Sequence, residues 1–509
     1  MPAHRARALA RAIARLALVS LLLSLSPPAG AAPKAASFED VAARARVLAA
    51  QPYREPDRVP QWLSELDYDK WRDIRFRPER AHWGGQNVPF TLQFFHPGLF
   101  YDRVVKINEI DAQGARPIPF SPSLFDYGDS GIGSQVPQNL GFAGFRVHHP
   151  LKRQDYFDEV IVFLGASYFR AVGRDLVYGL SSRGLAVDTA LSSGEEFPWF
   201  REFWILRPGP GRKQFVILAL LDSPSVAGAY RFSVTPGVDT LVDVDLQLFF
   251  RRQVSKLGIA PLTSMFLQGE NRLGSVEDFR PEVHDSDGLL LETQGSEWIW
   301  RPLDGRRRLT VTSFALENPR GFGLIQRDRN FDHFQDLEAR PDIRPSGWVA
   351  PKGEWGRGRV ELVEIPTRDD TNDNVVSMWV PDAPATGMLE LSYQITWFGE
   401  NKNLSPNGRA VDTRRDRGNL PDVHRFVIDF QGGQLAKLPA DAVLQGVIAT
   451  GGSPGAEIVG QQVMKNPVTG GWRLVFQVRP SGSEPVELRA FLQRGESALT
   501  ETWSYLLQP

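Results

Sequence analysis

Three acidic segments hold most of the side chains that could do chemistry. "PEVHDSDG" (281–288) sets His284 directly before Asp285 with Asp287 two residues on, "RDRNFDHFQD" spans 327–336, and "PTRDDTNDN" (366–374) carries Asp369, Asp370 and Asp373. Aspartates at alternating positions suggest a D-x-D pair on a divalent ion, a calcium loop, or one half of an acid–base pair. The D-x-D reading suits transferases that grip nucleotide phosphates, and the alternating βα pattern of such enzymes is missing. A full calcium loop would need a closing glutamate, which is absent. Hydrolysis of a glycosidic bond needs one protonated carboxyl to donate to the leaving oxygen and one ionised carboxylate to activate water. Asp285 and Asp373 lie 88 residues apart (373 − 285), so only the fold can bring them to one groove. For each segment a hydrated turn is the plainest alternative. His284 beside Asp285 also resembles the histidine–carboxylate pair of a sugar epimerase, although a hydrogen-bonded structural role is the simpler expectation.

Other motifs carry less. "GGSPG" around Ser453 fits the nucleophile-elbow spelling, but Pro454 among glycines spells a hairpin turn. His148 and His149 have no third ligand nearby in sequence. The elements that must position the aspartates are mostly strands. In "LVDVDLQLFF", Val242, Val244, Leu246 and Leu248 alternate with polar residues, and in "LELSYQITW" Leu389, Leu391, Tyr393, Ile395 and Trp397 do the same. Ser37 and Asp40 form a capping-box pair ahead of a helix over 38–50, and a second helix is expected over Val59–Arg75. A polar, Gly- and Pro-containing stretch at 401–420 reads as a linker or long loop. These signals predict an all-β protein with a large β-sandwich over 33–400 and a smaller sandwich over 421–509.

Residues 1–32 read as a general-pathway export signal: Arg5, Arg7, Arg11 and Arg15 precede the apolar run Leu16–Leu25, and Ala29–Ala31 are small. Cleavage after Ala31 leaves 54 Lys+Arg against 60 Asp+Glu (58 − 4 = 54), a net charge of −6. Binding to nucleic acid or insertion in a membrane is therefore not expected. With no cysteine, the chain can form neither disulfides nor thiolate metal sites.

Longer motifs add a resemblance. "NLGFAGFRVHHPL" (139–151), "FLGASYFRAVG" (163–173), "YGLSSRGLAVDT" (178–189), "LGIAPLTSMF" (257–266), "NPRGFGLIQRDRNFDHFQDLEAR" (318–340) and "ELVEIPTRDDTNDNVV" (361–376) resemble the periplasmic glucans biosynthesis protein G/D family over nearly the whole chain. The resemblance implies a mutarotase-like supersandwich followed by an immunoglobulin-like β-sandwich, and a periplasmic place in making osmoregulated glucans with a β-1,2-linked backbone. Some family members are anomer-inverting endo-β-1,2-glucanases. Carried over onto "HDSD" and "T-x-DN", their general base falls on Asp285 and their general acid on Asp373, with no cofactor and no metal. Asp287, His284, Trp298, Trp348 and Trp355 are the expected substrate-binding residues, Trp300 lying in the same stretch. The expected partners are β-1,2-glucan and an inner-membrane glucan synthase; the alternative is a non-catalytic protein that receives nascent glucan. After "DLEAR" the family usually has an aromatic residue where this chain has Pro341, which should stiffen that loop.

Overall fold

The computed structural model describes residues 37–271, 278–399, 404–418, 420, 422–451 and 456–508. The expected export signal and Ser453 lie outside these residues. No helix among them is long and apolar enough to cross a membrane.

Alternating sequence becomes sheet because a pleated strand sends successive side chains to opposite faces. Val242, Val244, Leu246 and Leu248 of the strand Thr240–Phe250 are fully buried, as are Tyr393, Ile395 and Trp397 of its antiparallel neighbour Met388–Phe398. A ten-stranded sheet and a fifteen-stranded sheet pack over one continuous core, so the chain is all-β with sandwich architecture. The helix Phe38–Ala49, with the Ser37–Asp40 capping box formed, lays Val41, Ala42 and Ala45 against Trp204, Leu218 and Ala229 of the larger sheet. The second expected helix is instead broken into Gln61–Ser64 and Tyr68–Arg72. Pro60 stands at the N-cap position of the first piece without a side-chain hydrogen bond, and Asp67 opens the second by accepting the Lys70 N–H, so the new N-cap at Asp67 divides the stretch into two short turns.

Toward the C-terminus a four-stranded sheet (Arg409–Asp416, His424–Gln431, Ala456–Lys465, Trp472–Pro480) covers the strands Gln445–Gly451, Val486–Arg494 and Thr502–Leu507 over a second core of Phe426, Leu474, Phe476 and Trp503. Two features depart from the expected linker. Arg409–Asp416, inside 401–420, is a paired strand: a bulge between Ala410 and Asp412 sets its buried residues, Ala410 and Thr413, three apart, so with its charged side chains it shows no period-two pattern. The larger sheet also runs on into this sandwich, because Trp298–Pro302 pairs in parallel with Thr502–Leu507.

His96 shows how this burial tunes a proton. It is 4% exposed among the rings of Phe120, Phe125 and Tyr127, and its Nδ1 donates to the Pro97 carbonyl at 2.6 Å. Burial pushes its pKa down to about 4 against an ordinary 6.5, with the Pro97 bond opposing. The unfolded chain therefore binds this proton first as pH falls. Stability present above pH 6.5 should drop by about 3 kcal/mol toward pH 4. Urea titrations near pH 7 and near pH 4 check this, and His96→Gln should flatten the difference.

Candidate active site

The segment Ser264–Phe266 is the backbone on which the two acidic motifs meet. On one side Ser264 pairs with Val375, the Asn374 N–H donates to the Ser264 carbonyl at 3.0 Å, and the Asn374 side chain accepts from the Phe266 N–H at 2.8 Å and donates to the Phe266 carbonyl at 3.0 Å. Asn374 thus extends the ladder as a backbone mimic where the strand bends away. On the other side Phe266 pairs with His284, and the Asp285 N–H donates to the Met265 carbonyl at 2.9 Å. Two inter-strand steps separate the Asp285 and Asn374 backbones, roughly 10 Å. Asp373 is one residue beyond Asn374, so both aspartates are brought to one neighbourhood.

Their surroundings differ. Asp285 is 5% exposed and its Oδ1 is in contact with Arg344 Nη1. Asp373 is exposed, on a turn folded by Asp369, which accepts the Thr371 N–H at 3.0 Å. Its charge reaches the same groups. Burial lowers the pKa of Arg344, while Asp370 and Asp373 oppose that shift. Burial raises the Tyr168 phenol above its ordinary range, Arg183 acts against it and Asp373 adds to the rise.

Arg280, which nothing in the sequence singled out, clamps the site. It chelates Asp278 (2.7 and 3.0 Å) and donates to Asp336 at 3.0 Å and Asp370 at 2.8 Å. One guanidinium therefore ties the chain leading to Asp285 to the loop carrying Asp373. Pro341 begins a 3-10 turn, Pro341–Ile343, and its carbonyl accepts from Gln326 at 3.3 Å. Three residues on, Arg344 also donates to the Ala339 carbonyl at 3.1 Å, which fixes the guanidinium that faces Asp285.

Tyr168, Arg170, Tyr178 and Glu159 line a depression of about 240 Å³ on the ten-stranded sheet, and Phe95 and Arg146 join it to a cleft of about 630 Å³ bordered by Trp71, Arg75 and His96. Aromatic faces beside charged donors and acceptors are the chemistry of sugar binding.

Several expected substrate contacts do not reach this groove. His284 is fully buried, Phe266 stacking on its ring, with Nδ1 against Gln326 (3.0 Å) and Nε2 against Glu282 (2.9 Å). Burial opposes its charge, yet Asp287, Glu282 and Glu270 outweigh burial and carry its pKa up to about 9. It is a structural imidazolium, with no nitrogen left for a sugar. Asp287 accepts from the Arg327 N–H and the Asp328 N–H (2.7 Å), so it pins the bend. Burial raises its pKa and His284 opposes the rise. The tryptophans are corrected likewise. Trp298 and Trp348 stack on each other at 5.5 Å in the second core, 6% and 8% exposed. Trp355 is 7% exposed against Trp379 and Tyr393 in the first core. Their apolar area went to packing, a choice that indole content alone does not reveal. The platforms that do face a groove, Tyr168 and Tyr178, sit in "FLGASYFRAVG" and "YGLSSRGLAVDT", where the motifs were visible but the facing was not.

A family model described as "Periplasmic glucan biosynthesis protein, MdoG" matches residues 36–507. The "Glucans biosynthesis protein G" of Ralstonia nicotianae (strain ATCC BAA-1114 / GMI1000) is 52% identical over 486 residues, covering 93% of this chain and 96% of that protein. A match of that extent takes in both sandwiches and both acidic motifs, and the chain belongs to the MdoG family of periplasmic glucan biosynthesis proteins.

Proposed function

We propose that this chain works in the periplasm in glucan biosynthesis, as an anomer-inverting endo-β-1,2-glucanase. The observation that supports the reading is that Asp285 and Asn374, the neighbour of Asp373, bond to the same segment 264–266, while the charge of Asp373 acts on Tyr168 in a groove of aromatic and charged side chains. Inversion needs room for a water between the carboxyls, which stand roughly 6.5 to 9.5 Å apart in inverting pairs, and the roughly 10 Å between the Asp285 and Asn374 backbones is compatible with such a separation for Asp285 and Asp373. In the proposed step the Asp373 proton passes to the leaving glycosidic oxygen as its bond to the anomeric carbon breaks. A water oxygen bonds to that carbon from the opposite face and gives its proton to Asp285. Exchange with solvent then restores both carboxyls.

Incubating the purified protein with linear β-1,2-glucan tests this directly. New reducing ends should appear, first as the α-anomer by proton NMR; β-anomer product would contradict inversion. One observation favours a second reading. Asp285 is 5% exposed and paired with Arg344, which leaves its carboxylate little contact with water. A protein that receives nascent glucan from an inner-membrane synthase without cutting it would slow the polymer's migration and leave its length distribution unaltered.

A further inference from the structure

A chain of hydrogen bonds joins the loops of Asp285 and Asp373 through one side chain. Arg280 stands five residues before Asp285, and its carbonyl accepts from Gln268 Nε2 at 2.7 Å, which fixes its backbone to the strand Phe266–Gln268. Asp278 fixes the other end, accepting from the guanidinium at 3.0 and 2.7 Å and from the Arg280 N–H at 2.9 Å. The arginine so held presents Nη1 to two further carboxylates, Asp336 at 3.0 Å and Asp370 at 2.8 Å.

Each of those two contacts leads to one carboxyl of the proposed acid–base pair. Asp370 lies three residues before Asp373, on the turn folded by Asp369. Asp336 leads the other way. Its Oδ1 accepts the Glu338 and Ala339 N–H groups at 3.0 and 2.8 Å, the Ala339 carbonyl accepts from Arg344 Nε at 3.1 Å, and Arg344 Nη1 meets Asp285. The side chains of Arg280, Asp278 and Asp336 are 17%, 15% and 12% exposed, so these charged bonds are largely shielded from the water that makes an open surface pair weak.

We propose that Arg280 is the positioning residue that sets proton donor and base in register, acting on Asp373 through Asp370 and on Asp285 through Asp336, Ala339 and Arg344. This role rests on the hydrolytic reading above. Without the guanidinium, three carboxylates face one another uncompensated, their repulsion parts the loops, and both carboxyls lose their places together. A misplacement of roughly 1 Å at a reacting group costs on the order of 10²-fold in rate. Tyr168 and Tyr178 take no part in this chain of bonds, so the aromatic wall that grips the sugar stays in place.

Steady-state kinetics of the full chain on linear β-1,2-glucan, with each variant first shown to melt cooperatively above the assay temperature, test the role. Arg280→Met should lower kcat about 10- to 100-fold and leave KM within about twofold. Asp370→Ala should lower kcat by itself and cause no further loss in the Arg280→Met background, because the path to Asp373 is already cut there. Hydrogen exchange should quicken in segments 336–344 and 366–374 of Arg280→Met and stay as in the wild type elsewhere. A wild-type kcat in Arg280→Met, a raised KM as its main change, multiplied losses in the double variant, or faster exchange throughout both sandwiches would each overturn the role. A wild type that leaves glucan uncut defeats the hydrolytic reading instead. Exchange then judges the clamp by itself, and unchanged protection of the two segments in Arg280→Met would overturn it.

Discussion

Asp373→Asn should lower the release of reducing ends from linear β-1,2-glucan by a factor on the order of 10²–10⁴, the usual worth of a positioned general acid. The amide keeps the shape of the side chain and cannot hand over a proton. Asp373 is exposed on its turn, so stability should stay within about 0.5 kcal/mol of the wild type. Binding of glucan should survive for the same reason. A nitrophenyl sophoroside separates this loss from a general one. Nitrophenolate leaves without protonation, so the variant should lose far less rate on that substrate than on glucan. An Asp373→Asn protein that cleaves glucan as fast as the wild type removes Asp373 from the acid role, and an equal loss on both substrates would mean its role is not proton donation.

Arg327→Ala is expected to cost about 3–5 kcal/mol of stability, the largest effect away from the groove. Its side chain is 4% exposed and that of Glu501 is 0% exposed, at 3.0 Å. Burial pushes Arg327 down and Glu501 up in pKa, in each case against the charged form. Removing one partner therefore leaves a carboxylate buried without its cation. The guanidinium also sits 3.6 Å from the Trp300 ring centroid and donates to the Ala410 carbonyl, so it joins the large sandwich to the four-stranded sheet. The double replacement Arg327→Met with Glu501→Leu should recover most of the loss, since no charge is then stranded. Urea titration of the two singles and the double measures the coupling; strictly additive losses would show that the pair is not what holds the junction.

Much of the fold could be read directly from the chain, because period-two burial is written into residues such as Val242, Val244 and Leu246 whatever they pack against. Arg409–Asp416 escaped for the complementary reason. An edge strand with one face toward water and charges on it reads like loop, and its hydrogen bonds to His424–Gln431 leave no mark in composition. The acidic motifs were equally visible, and the distinction between Asp285 and Asp287 was partly so. What could not be read was direction. His284 and Asp287 turn into a buried charge cluster, while Asp285 turns to Arg344.

By itself, then, the sequence determined strand content, the two acidic motifs and family membership, all of which depend on residue type and order along the chain. Tertiary structure alone decided that Asp285 and Asp373 flank one strand segment, that Arg280 binds three loops at once, and that Trp298, Trp348 and Trp355 fill cores instead of facing sugar. The physical reason is that a side chain's chemistry depends on what is excluded from around it. How residues 88 positions apart (373 − 285) come into one neighbourhood, and how much water is removed from around each, are properties of packing that no local pattern encodes.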